Sequence, residues 1–142
     1  MSVESFIDTN IFVYQLERLD ARKANIADRL IERGIDTQTA CISYQVIQEC
    51  LNTALRKAEV PLTEDEMRRY MLDVLAPLYR VQPDIRLFRK SLEVRARWHF
   101  SFYDSLIVAA AMEAGCKTLY TEDLTHSQRI EGVTIVNPFL GQ

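Results

Sequence analysis

Glycine and proline are scarce, four of each in 142 residues, so connections between elements are expected to be short and no flexible linker is present. No apolar run approaches a membrane span. The longest, Leu106 to Met112, falls short by more than half of the about 20 residues a helix needs to cross a bilayer. The start, Met1-Ser2-Val3-Glu4, has neither the basic region nor the apolar core of a secretion signal, so the expected location is the cytoplasm. The three cysteines, Cys41, Cys50 and Cys116, form no CxxC and lie in or beside apolar segments, which suits small buried side chains in a reducing compartment. Histidine occurs only at His99 and His126, which argues against a His-based zinc site and against Ser-His-Asp or Cys-His chemistry. Neither GxGxxG nor a P-loop occurs. A strong excess of one charge is also missing. The net charge of −3 and pI of about 5.4 are not the bulk signature of a nucleic-acid binder, although the distribution of charge matters more than its sum. Lysine is rare, four against thirteen arginines, and arginine is the better bidentate partner for phosphate and carboxylate.

What is present suits one domain over residues 1–142, with 48% hydrophobic residues to build a core. Residues 3–7 read as a strand, followed by a turn at Asp8-Thr9-Asn10 and a short helix from Ile11 to Leu16. A periodic helix over 21–33 stops at Gly34. Thr39 to Ile42 is a second strand, Ser43 caps a helix over 44–58, and Pro61 breaks the chain. Thr63 and Glu66 form a capping box for a helix that Pro77 ends or kinks. Residues 79–81 are a third strand. Asp84 caps a helix with an apolar stripe of Ile85, Phe88, Leu92 and Ala96. Asp104 opens a helix over 105–114, apolar nearly all round and therefore buried, which Gly115 ends. Lys117 to Thr121 and Val133 to Val136 are the last strands, with a short helix expected after Asp123. Strands alternating with helices give an α/β class with a parallel sheet covered on both faces.

Four acids stand out in this pattern: Asp8, Glu49, Asp104 and Asp123. Taken singly, each has an ordinary explanation, as a helix cap or a solvated helix residue. Together they are harder to dismiss. Asp8 and Asp123 each follow a strand, so a parallel sheet puts them on one edge, where ligands of such sheets bind. Glu49 lies off the apolar face of its helix, and nothing about the apolar neighbours of Asp104 requires an acid there. Carboxylates gathered at one edge repel unless a cation holds them, and oxygen-only ligands favour Mg²⁺ or Mn²⁺. Such a centre suits phosphodiester hydrolysis. A phosphatase with Asp8 as nucleophile competes, although the residue two positions on is Asn10 and not a second acid. A module that binds RNA or protein without cutting is the non-enzymatic alternative.

The segments Phe6-Ile7-Asp8-Thr9-Asn10, Ile42-Ser43 with Val46-Ile47-Gln48-Glu49, Tyr103-Asp104-Ser105-Leu106-Ile107, Leu119-Tyr120-Thr121-Glu122-Asp123-Leu124 and Val136-Asn137-Pro138-Phe139 resemble, in order and spacing, the PIN-domain ribonucleases and, within them, the VapC-like toxins of toxin–antitoxin pairs. The resemblance implies a three-layer α/β/α fold around a central parallel sheet. It implies a Mg²⁺- or Mn²⁺-dependent endoribonuclease in which Asp8, Glu49, Asp104 and Asp123 form the catalytic metal site. Asn10, Ser43 and Thr121 match supporting polar positions. Glu122 adjoins Asp123, and the motif aligns on Asp123. Ser127 falls where many relatives have glycine. A homodimer and a small antitoxin partner are likewise implied. Away from the acids, Arg86, Arg89 and Lys90 offer a candidate strip for RNA phosphates, against a solvated face of internal ion pairs. His126 and Gln128 are candidates to line the cleft, against a surface loop. Trp98 and Tyr103 read as core or interface residues.

Overall fold

The computed structural model describes residues 3–56 and 62–140. Its elements are β1 (Ser5–Ile7), α1 (Thr9–Glu17), α2 (Ala21–Thr37), β2 (Ala40–Ser43) and α3 (Tyr44–Arg56). After the undescribed stretch come α4 (Glu64–Tyr70), a π-helical turn (Met71–Leu75), α5 (Ala76–Leu78), β3 (Tyr79–Val81), α6 (Ile85–Trp98), α7 (Phe102–Glu113), β4 (Thr118–Tyr120), β5 (Arg129–Ile130) and β6 (Val133–Val136). The expected end of the helix over 44–58 and the break at Pro61 lie outside the described residues. The sheet order is β3-β2-β1-β4-β6-β5, parallel throughout except for β5, which runs antiparallel to β6. Helices cover both faces, giving the expected α/β/α layers. Helix α7 packs on β2, β4 and β6, and α6 packs on α7. Helices α1, α2 and α3 group together, with α2 and α3 against β2.

The central strands are short, and their apolar residues, Phe6, Ile7, Cys41, Ile42, Leu119 and Ile135, are fully buried. Residues Ser105 to Ala111 are buried all round, as the near-continuous apolar run of α7 requires. The strand order reverses between β1 and β4. Chains leave these neighbouring strands in opposite lateral directions, which opens a crevice at their carboxyl ends.

Several expectations need correction. Gly34 does not stop α2; it lies buried inside the helix, which runs on to Thr37. A Cβ built on Gly34 would come 2.6 Å from the Cβ of Ala40, so glycine is there to let α2 sit tightly on β2. Helix α6 buries Leu87, Ser91 and Val94, leaving Ile85 and Leu92 exposed and Phe88 partly so. The polar Ser91 is accommodated because its hydroxyl donates to the Leu87 carbonyl at 2.8 Å, a local bond that composition does not reveal. Helix α7 starts at Phe102 with Ser101 as its cap, and the N–H of Asp104 donates to the Ser101 hydroxyl at 3.1 Å. At Pro77 the chain passes from the π turn into α5, where the missing N–H falls in a first turn and is tolerated. Among the described residues, no helix follows Asp123. The chain turns through Ser127, at φ 71, into the missed strand β5. The left-handed backbone at Ser127 explains why glycine suits that position.

The contact of Gly34 with β2 makes a sharp test. Alanine favours a helix over glycine by about 1 kcal/mol, but overpacking costs about 1–3 kcal/mol. Gly34→Ala is therefore expected to lower the urea midpoint, and adding Ala40→Gly to recover part of the loss.

Candidate active site: an acidic cleft at the sheet switch point

The pairing of Ile7 with Tyr120 fixes the two ends from which the cleft is built. Just past them, the N–H of Asp8 donates to the Tyr120 carbonyl at 3.0 Å. Asp8 caps α1, accepting from the Thr9 N–H at 2.7 Å. Its other oxygen accepts from the buried Thr121 hydroxyl at 2.8 Å. The same hydroxyl oxygen accepts from the Asp123 N–H at 3.0 Å and from the Asn10 amide at 3.2 Å. Asn10 also donates to the Asp123 carboxylate at 3.0 Å. Thr121 and Asn10 thus tie β1 and β4 together and aim both acids.

From α3, Glu49 accepts from the Thr9 hydroxyl at 2.7 Å and from the Gln45 amide at 3.4 Å. Asp104 arrives from the first turn of α7. All four acids line one pocket of about 240 Å³, together with Thr9, Asn10, Gln45 and Tyr103. Four separate elements therefore deliver carboxylates to one cleft, as the sequence pattern predicts.

Burial raises Asp8 to about 7, against an ordinary value of 3.8; the hydrogen bonds from Thr121 and Thr9 oppose the rise, and Asp123 and Glu49 add to it. Asp104 is raised too, first by loss of solvent and then by Asp123. The cleft is a place where negative charge is costly and a cation would be welcome. The donor set, all oxygen, suits a hard divalent ion. Among the described residues, no three acid, histidine or cysteine side chains are already grouped tightly enough to hold one ion. A cation there would meet part of the set and keep several waters, as Mg²⁺ does.

Glu122 points elsewhere. It accepts a hydrogen bond from the Tyr14 hydroxyl and pairs with Lys23 at 3.0 Å, while Lys23 also donates to Tyr14 at 3.1 Å. The Lys23 ammonium stands 4.7 Å from the centre of the Tyr14 ring. Adjacent acids thus divide: Asp123 faces the cleft and Glu122 anchors the loop to α1 and α2.

Other sequence candidates are not brought to the cleft. The Ser43 hydroxyl is buried and accepts from the Val46 N–H at 3.4 Å, so it caps α3 outside the acid pocket. Arg86 pairs with Glu113 at 2.7 Å, and Lys90 with Glu131 at 3.3 Å. With Arg89 they line a separate hollow. His126 is exposed and accepts from the Asn137 N–H at 3.0 Å, as a loop residue does, and Gln128 does not line the cleft either. Tyr103 is not core; it is 64% exposed at the cleft wall. Sequence reasoning missed Thr9, Gln45 and the Tyr14–Lys23 anchor. Gln45 was within reach, since it lies one helical turn before Glu49.

The raised Asp8 has a measurable consequence. Between pH 4 and 7 the folded state holds this proton more firmly than the unfolded chain, so stability falls as pH rises through that window and levels off above it. In metal-free buffer, Asp8→Asn is expected to flatten much of this fall and to leave the variant more stable than the parent at pH 8, read by urea unfolding across the pH range.

Against this geometry stand the likenesses to known proteins. No significant match was found among curated proteins. Among solved structures, a toxin–antitoxin complex from Klebsiella pneumoniae matches with TM-score 0.68 at 18% identity, covering 95% of this chain and 98% of that one. VapBC2 from Rickettsia felis, bound to a promoter DNA fragment, matches with TM-score 0.67 at 18% identity, covering 94% and 97%. Mycobacterium tuberculosis VapC20, a sarcin–ricin loop cleaving toxin, matches with TM-score 0.61 at 20% identity, covering 84% and 90%. At these identities the likeness is one of fold. The sequence itself matches the PIN domain family over residues 5–130, and the chain belongs to that family.

Proposed function

We propose that this chain is a Mg²⁺- or Mn²⁺-dependent endoribonuclease and the toxin of a toxin–antitoxin pair. The observation that carries the reading is the convergence of Asp8, Glu49, Asp104 and Asp123, from four elements, on one pocket at the switch point of the sheet. The fold likeness to a sarcin–ricin loop cleaving toxin supports RNA as the substrate, and the likeness to a toxin–antitoxin complex supports a small antitoxin as partner. A second copy of the chain and a cytoplasmic setting belong to the same reading.

A divalent cation bound here would neutralise charge on the phosphoryl group and make a water more acidic. The rest is the work of the side chains. Asp8, held by Thr9 and Thr121, supplies a fixed edge of carboxyl oxygen. Asp123 is aimed by Asn10, and Glu49 by Thr9 and Gln45. Asp104, seated in the first turn of α7 beside its cap Ser101, closes the opposite wall. The phosphatase alternative gains no second acid from Asn10, whose amide nitrogen is committed to Thr121 and Asp123.

Cleavage of single-stranded RNA in Mn²⁺ is the test. Asp8→Asn, Asp104→Asn and Asp123→Asn are each expected to lose roughly 100-fold or more in rate with the fold retained. Glu122→Gln, which still accepts from Tyr14, should lose less than about tenfold. Calorimetry should show Mn²⁺ binding to the parent and a higher melting temperature with the ion than without it. Unchanged cleavage by Asp104→Asn would overturn its assignment. Faster turnover of a generic phosphomonoester than of RNA would favour the phosphatase.

A further inference from the structure

Beside the acid cleft lies a second hollow of about 250 Å³, and Gln45 and Tyr103 line both. Among the described residues, no charged side chain lines it. Its walls carry aromatic rings, among them Tyr44, Phe88 and Tyr103, which are 44%, 37% and 64% exposed. Its polar equipment is neutral, chiefly the amides of Gln45 and Gln48. Gln45 is 9% exposed, and its amide oxygen is buried with no hydrogen-bond partner among the described residues. Its nitrogen makes only long contacts, 3.4 Å each, to Glu49 and to the Tyr103 carbonyl.

We propose that this hollow is a nucleobase subsite, which receives the base of a nucleotide whose phosphate lies at the four acids. The inference rests on the nuclease reading and adds to it a determinant of which base is accepted. A nucleobase is flat, neutral, apolar on its faces and polar at its edge. Unstacked RNA bases are taken up on aromatic side chains and read along their edges by amides and other polar groups. Glutamine offers a donor and an acceptor side by side, which matches a base edge. The lack of charge in the hollow fits a base and not a phosphate. The shared wall at Gln45 and Tyr103 joins it to the cleft, as the covalent link between base and phosphate requires. An apolar peptide side chain would fill the space equally well but would make no use of the exposed Gln48 amide.

The test uses short single-stranded oligoribonucleotides in Mn²⁺, with each of the four bases, or an abasic sugar, at the positions flanking the cut. Gln48→Ala and Phe88→Ala alter the hollow without touching any residue of the acid cleft, and Gln48 is exposed, so the fold survives at least one of them. The parent is expected to prefer one base at one flanking position by about tenfold or more, a preference carried mainly by KM. Both variants should reduce that preference, while cutting the abasic oligonucleotide as fast as the parent does. If the parent discriminates and both variants keep the same preference, the subsite assignment is wrong and the nuclease reading stands. If the variants cut every oligonucleotide like the parent and lose only affinity for a protein partner, the hollow is a protein contact and the proposal falls. A parent that cuts no oligonucleotide overturns both readings.

Discussion

Four like charges at one rim of the sheet set the terms for their surroundings. Two unit charges about 5 Å apart repel by roughly 3 kcal/mol at an effective dielectric of 20. A hydrogen bond to a charged group returns about 1.5–3 kcal/mol. The two are of similar size, so each gathered acid needs dedicated donors or a proton. Asp8 has both remedies available. It is 5% exposed, it takes one bond from a backbone N–H and one from Thr121, and its proton is held up to about neutrality. Thr121, fully buried, is the hinge of this arrangement, since its hydroxyl donates to one acid and accepts from the backbone of another.

The neighbouring acids Glu122 and Asp123 make the same point by contrast. They are identical in charge and adjacent in the chain, and their partners alone separate them. Lys23 neutralises Glu122 on the side of α1 and α2 while Tyr14 donates a hydrogen bond to it, and Tyr14 is itself raised above its ordinary range, first by burial and then by Glu122. Among the described residues, the Asp123 carboxylate takes a hydrogen bond from the Asn10 amide, and it lines the cleft. A residue 99 positions away thus settles which acid is presented to the cleft.

Much of this could be read from the chain. The strand-end acids, the capping box at Thr63, the buried run of α7 and the parallel sheet follow from local pattern. Two of the failures share a cause: a contact distant in sequence or a side-chain bond overrode a local signal. Gly34 signals a helix end, yet it marks a close approach of α2 to Ala40. Ser91 reads as polar, yet its bond to Leu87 lets it turn inward and rotates the buried face of α6. Ser43, which matches a supporting polar position only through the family resemblance, caps α3 as its place before that helix suggests. Strand β5, two residues long, is too brief to show periodicity at all. The site was more legible than the fold around it because acids at strand ends are a sparse signal, whereas apolar stripes are common and easily misphased.

The sheet ends on both sides in very short strands, three residues at β3 and two at β5, each carrying an exposed arginine, Arg80 and Arg129. Little unpaired backbone is left for a foreign strand to add to, and a guanidinium stands on each margin. Ribbon-like growth from chain to chain is therefore discouraged at both margins. Any assembly this protein enters is steered toward contacts made by helices and loops, which can be finite, and away from strand addition, which has no natural stopping point.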